Sequence, residues 1–342
     1  MRCILLATLI SLGLAASIET AIAQPAPQSL SAKPAFALPP ESITVIAVKP
    51  SDATIKSYVE TRAVQTRVAG SIPRWITGVC PATVGLGDTY TKYISQRIRE
   101  IAKAVGAPVN SNLSCRPNIQ VLFTQNPQLL LDNVRKEKPR YLGYYNNESQ
   151  ADQLAKVTHP IQAWYTTTTI DMDGGQAVDD GACHSGGVEL GDVAPSLSLS
   201  LPNGESPDGP YRATPHPTPC AIAVHATGSR LNDGIGSGFF HVLIVAEPAK
   251  LLDYEVGPLA DYITMLALSQ PASLDSCQEL PSISNLLVKG CTAAPAKITD
   301  GDLAYLQGLY SISSSGGVAT QYNQLHYAMK KVLVTDKGGP GQ

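Results

Sequence analysis

Charge is what this chain has least of. Asp, Glu, Lys and Arg make up 15% of its 342 residues, against roughly 25% in ordinary soluble domains. The formal net charge is only −3. No cluster of Lys and Arg interleaved with aromatics occurs, which argues against nucleic acid as a partner. There is no CxxC pair, and with it go the zinc-ribbon and thioredoxin signatures. GxSxG is missing, so the sequence offers no nucleophile elbow. Beyond the N-terminal segment no apolar run is long enough to span a bilayer, and no internal repeat is found.

What is present begins with an export signal. Arg2 supplies a basic start, ILLATLISLGLAA from Ile4 an apolar run, and AIA at residues 21–23 a small-residue cleavage site. Residues 1–23 therefore read as a signal peptide cleaved near Ala23, and the mature chain as periplasmic or secreted. Cys3 leaves with the signal. The remaining Cys80, Cys115, Cys183, Cys220, Cys277 and Cys291 form an even set, which in an oxidising compartment reads as disulfides. Sequential pairing (80–115, 183–220, 277–291) is expected because each pair brackets one local unit. Each bridge would contribute about 2–4 kcal/mol.

The order of periodicities indicates an α+β chain with a mixed twisted sheet. Residues 24–41 are a Pro/Ala-rich flexible leader, 42–335 a single domain with a C-terminal subdomain from about 271, and 336–342 a tail. ITVIAV (43–48) is a short β-prone run, and ATIKSYVETRA from Ala53 has helical spacing. In DTYTKYISQRIREIAKAVGAP, Tyr90, Tyr93, Ile94, Ile98, Ile101, Ala102 and Val105 make one apolar face. Asp88 is the expected N-cap of that helix, Gly106 its C′ residue and Pro108 its stop. NIQVLFT (118–124) reads as a strand, and PQLLLDNVRK as a helix with Pro127 near its first position. IQAWYTTTTIDM (161–172) and AIAVHATGSRL (221–231) read as strands, and the uniformly apolar HVLIVAE (241–247) as a central one. A loop dense in Gly, Pro, Ser and Asp fills 173–219. Helix signals return at GPLADYITMLALSQ, ITDGDLAYLQGLY and ATQYNQLHYAMKKVLV.

In that order the C-terminal half resembles the zincin superfamily, in particular its matrixin-like branch. Those enzymes read HExxHxLGLxH, then a Met-turn, then LTxxDxxxIQxLYG. The counterparts here are ADYITMLALSQ (260–270), SIS (282–284) and ITDGDLAYLQGLY (298–310). In the last, Ile298, Asp302, Leu306, Gln307, Leu309 and Tyr310 keep the family's rhythm. The long helix followed by NIQVLFT resembles the helix and first strand of that fold. The chain is also similar to uncharacterised secreted proteins of Gram-negative bacteria that share the ADYITMLALSQ type of segment. The resemblance implies a zincin-like fold with a small helical C-terminal subdomain, but not the zinc chemistry. Its ligand histidines correspond to Ala260, Thr264 and Gln270, its general-base glutamate to Asp261, and its Met-turn methionine to Ser284. Asp261 is then expected to serve the helix dipole or a hydrogen bond, and remains a weak candidate base.

Other ligand sets are thinner. His184, His225 and His241, with His216 and the acidic residues Asp171, Asp173, Asp179 and Asp180, are the alternative metal-binding set. Without the EF-hand spacing, DMDGGQAVDDG (171–181) reads first as a solvated acidic loop. GIGSG (234–238) leads into a strand rather than a helix, so it reads as a hairpin turn and not a phosphate cradle. The Thr166–Thr169 run reads first as a half-exposed strand, and otherwise suits a strand edge able to pair with an extended peptide. The expectation is thus an exported, non-catalytic zincin-like protein, without cofactor, that binds an unidentified protein or peptide and does not span a membrane. The alternatives are a hydrolase with a relocated site at His184, His225 and His241, and a structural envelope component.

Overall fold

The computed structural model describes residues 49–179, 234–291, 295–313 and 317–335. The signal peptide, the leader, the 43–48 run, the Cys183–Cys220 pair, the 221–231 strand and the tail lie outside the described residues. Within them the chain is α+β, built on a mixed five-stranded sheet in the order β1-β2-β5-β3-β4. β1 (Pro81–Val84), β2 (Ile119–Phe123) and β5 (Gly236–Ala246) run parallel, β3 (Ile161–Ile170) is antiparallel to β5, and β4 (Gln176–Asp179) is antiparallel to β3. The uniformly apolar 241–247 segment falls in β5, between β2 and β3, as its lack of alternation predicts.

Alternation along β5 divides the core. Val242, Ile244 and Ala246 face a cluster that takes in Ile94 and Ile98 of α2 (Asp88–Ala104) and Ile263 and Leu266 of α5 (Val256–Leu268). Leu243 and Val245 face a smaller cluster on the opposite side. It contains Leu131 and Val134 of α3 (Pro127–Glu137), Tyr141 and Leu142 of a 3-10 turn, and Ala151 of α4 (Glu148–Leu154). A bulge opposite residues 166 and 167 shifts the β3–β5 register, pairing Thr166 with His241 but Thr167 with Phe239.

α2 starts one residue earlier than its sequence suggests: Gly87 is the N-cap and Asp88 the first helical residue, where an acidic side chain still favours the dipole. Gly106 ends it with φ +82°, a conformation glycine adopts without steric cost. α5 packs on α2, while α7 (Val318–Lys330) packs on both α1 (Asp52–Arg62) and α6 (Asp300–Ser311), and all five helices contribute to the larger cluster. α5 is buried from residue 259 to 268, so its last carbonyls need donors other than water. Three aromatic side chains supply them. Trp75 Nε1 donates to Ala267 O at 2.8 Å, Tyr165 Oη to Leu266 O at 2.9 Å, and Tyr310 Oη to Leu268 O at 2.8 Å.

Cys80 bonds to Cys115 and Cys277 to Cys291. The second bridge encloses the 3-10 turn Ile283–Leu287, which packs on α5. Asp302 anchors that region: it forms a capping box with Thr299 and accepts from Tyr58 Oη at 2.6 Å, Ser282 Oγ at 2.5 Å and Ile283 N at 2.8 Å. Among the described residues no helix is long and apolar enough to cross a membrane.

Candidate functional site

α5 carries two of the three positions at which the resemblance places zinc ligands, Ala260 and Thr264, and their surroundings are those of a packed core. Ala260 and Thr264 are fully buried, and Asp261 is 2% exposed. Both oxygens of Asp261 are engaged. Arg97 of α2 donates from Nε to Oδ1 at 2.6 Å and from Nη2 to Oδ2 at 3.2 Å, and the Ile298 N–H donates to Oδ2 at 2.7 Å. The hydrogen bond that Arg97 donates to Asp261 raises the Arg97 pKa further. Thr264 turns its hydroxyl back onto Ala260 O at 2.7 Å. A methyl group and a hydroxyl committed to its own helix offer no nitrogen ligand, so these residues do not fit the zinc of the family's site. Ser284, at the Met-turn position, donates its N–H to Ser282 Oγ at 3.1 Å.

His184, His216, His225 and Asp180 lie outside the described residues. His241 is buried on β5 with its ring 4.4 Å from that of Tyr141, edge to face, and neither ring nitrogen has a partner among the described residues. Burial, and then the Arg116 charge, push its pKa down to about 3, so it is neutral at ordinary pH. The acidic stretch is a hairpin turn rather than a ligand cage. Asp171 Oδ1 accepts from the N–H groups of Asp173 at 3.0 Å and Gly175 at 2.6 Å. Asp179, buried, accepts from the Thr169 and Thr167 hydroxyls at 2.7 and 2.8 Å. Among the described residues no group of three or more His, Cys, Asp and Glu is placed to hold a metal.

The Thr166–Thr169 run is not on the outermost strand. β4 covers residues 167–170 of β3, and Gly143 lies close against the Tyr165 carbonyl. β5 pairs with β3 along its whole length, but on the opposite side no strand among the described residues flanks the first half of β3, and that half lines a cleft of about 670 Å³. Gln162 and Tyr165 contribute from β3, Thr66 from the segment after α1, Leu142 from the 3-10 turn, Leu266 from α5 and Gln270 from the segment that follows α5. Gln270, the third ligand position of the resemblance, is thus a cleft residue. His159 ties the entry to β3 to the loop after α5 through Nε2 and Asp275 Oδ1 at 2.9 Å, while its Nδ1 pairs with the Thr158 hydroxyl at 2.8 Å. The cleft presents amides, hydroxyls, aliphatic and aromatic surface and the basic side chains of Arg67 and Lys156 along a strand, which suits an extended chain. No protein-family model, curated protein or solved structure matches this chain.

Two residues of this site are absent from the sequence reading. Arg97 follows Ile94 by three on α2, and that spacing places it at the margin of the buried face, within reach of a facing helix. His159 carries no such signal, because its partner Asp275 is 116 residues away.

Proposed function

We propose that this is an exported zincin-like protein that binds a peptide or protein segment in the cleft beside the first half of β3 and does not cleave it. The observation that carries the reading is the Asp261–Arg97 pair. The carboxylate at the general-base position is buried and holds three donors, one of them Ile298 N–H at the start of the 298–310 segment. A base must reach a proton on a substrate or water, and Asp261 is instead the link between α2, α5 and the C-terminal helices. The order of long helix, strand, central strand and buried helix supports the zincin-like assignment, and the cleft at β3 supports peptide addition. The signal-like N-terminus and the two disulfides support export.

The test is metal analysis of the purified mature protein together with a peptidase assay with and without chelator. The reading expects substoichiometric zinc and no chelator-sensitive cleavage. Stoichiometric zinc with chelator-sensitive activity would overturn it in favour of a hydrolase with a relocated metal site.

A further inference from the structure

Arg62, the last residue of α1, is 2% exposed, and its Nε and Nη2 have no hydrogen-bond partner among the described residues. These two nitrogens form one edge of the guanidinium, with their N–H bonds nearly parallel, the geometry that matches a carboxylate in a bidentate pair. The same chain shows the match: Arg97 gives this edge, Nε and Nη2, to the two oxygens of Asp261.

The groups around Arg62 do not supply the anion. Its charge acts on the buried phenols of Tyr58, Tyr165, Tyr262 and Tyr305, from α1, β3, α5 and α6. Burial raises all of their pKa values, that of Tyr262 to about 12, so they remain neutral. Asp302, which shares Tyr58 with this cluster, is already held by Tyr58, Ser282, Ile283 and Thr299. Two buried donors without acceptors oppose folding, and an oxyanion on that edge would satisfy both. The cluster borders the cleft. Tyr165 and Leu266 line it, and so do residues 64–68, which follow Arg62 in the chain.

We infer that Arg62 is a carboxylate-binding residue, taking the carboxylate of a ligand on its unpartnered Nε–H and Nη2–H edge. The carboxylate comes from a small organic acid or from a peptide seated in the cleft. Only the second source rests on the peptide-binding reading above.

The experiment follows the Arg62 Nε–H resonance and thermal unfolding of the mature protein in sodium acetate against sodium chloride at equal ionic strength. Acetate is expected to shift that resonance saturably and to raise Tm by about 3–5 °C at saturation. Arg62→Lys keeps a charge but loses the paired edge, and its acetate response should fall at least tenfold. A wild-type resonance that responds to acetate no more than to chloride overturns the inference, even if the variant does not fold. An equal response in a folded Arg62→Lys protein overturns it too. Short alanine peptides with a free or an amidated C-terminus then separate the sources. A response to the free form alone assigns a chain terminus, and a response to acetate alone assigns a small acid. Binding of both peptides with no change at Arg62 would remove the carboxylate site and leave the peptide cleft standing.

Discussion

Asp261 and His241 show how burial decides what a titratable side chain does. Asp261 has an arginine partner and a backbone N–H donor, and these contacts make it a structural link. Asp261→Asn removes one partner of a largely buried pair and should destabilise the fold by about 2–3 kcal/mol in urea unfolding, without changing any hydrolytic activity. A loss of activity with unchanged stability would instead mark a catalytic carboxylate. His241 has no charge partner, and its folded pKa of about 3 lies below the unfolded value near 6.5. The sign follows from proton uptake: below 6.5 the unfolded chain binds a proton that the folded one refuses. Its contribution is therefore complete above about pH 6.5 and is lost as pH falls towards 3, by about 1.4 kcal/mol per unit. His241→Phe keeps a ring against Tyr141 and should flatten the acid limb of a stability-versus-pH curve. An unchanged limb would place the acid sensitivity on other groups.

At the scale of elements, what a single segment encodes was legible and what two distant segments make together was not. The 3.6-residue rhythm in α2, the uniformly apolar run in α5 and the run of β5 each announce their element, because local periodicity reports which face is buried. α4 and the 3-10 turn Pro139–Leu142 were missed, since seven and four residues are too short to show a period. The threonine run was read correctly as strand, but it is buried and mostly flanked on both sides rather than half-exposed or at an edge, because β4 arises from a turn whose aspartates looked like solvated loop. Arg62 had a readable place, since Ile55, Tyr58, Val59 and Arg62 share the buried face of α1, but its lack of a partner is visible only in three dimensions. The Cys277–Cys291 bridge closes a separation of 14 residues beneath α5. Removing it by paired Cys→Ser changes should cost about 3 kcal/mol, with faster amide exchange concentrated between residues 277 and 291. Exchange spread evenly over the sheet would contradict a local role for that loop.

At the scale of the whole molecule, the two faces of β5 are buried in separate apolar clusters, and the cleft among the described residues opens on the side of the sheet where β4 does not reach. Gln270→Trp would fill the cleft from the segment that follows α5 without entering the core. Peptide binding should weaken at least tenfold while Tm moves by no more than about 2 °C, because surface changes away from core features are small. The most direct test of the central claim is mass spectrometry of the mature protein incubated with a degenerate library of short peptides, read for both retained and cleaved species. The expected result is intact peptides retained by the wild type and not by Gln270→Trp, with amides 161–166 protected from exchange. Chelator-sensitive cleavage of the library, or no retained peptide at all, would contradict the account.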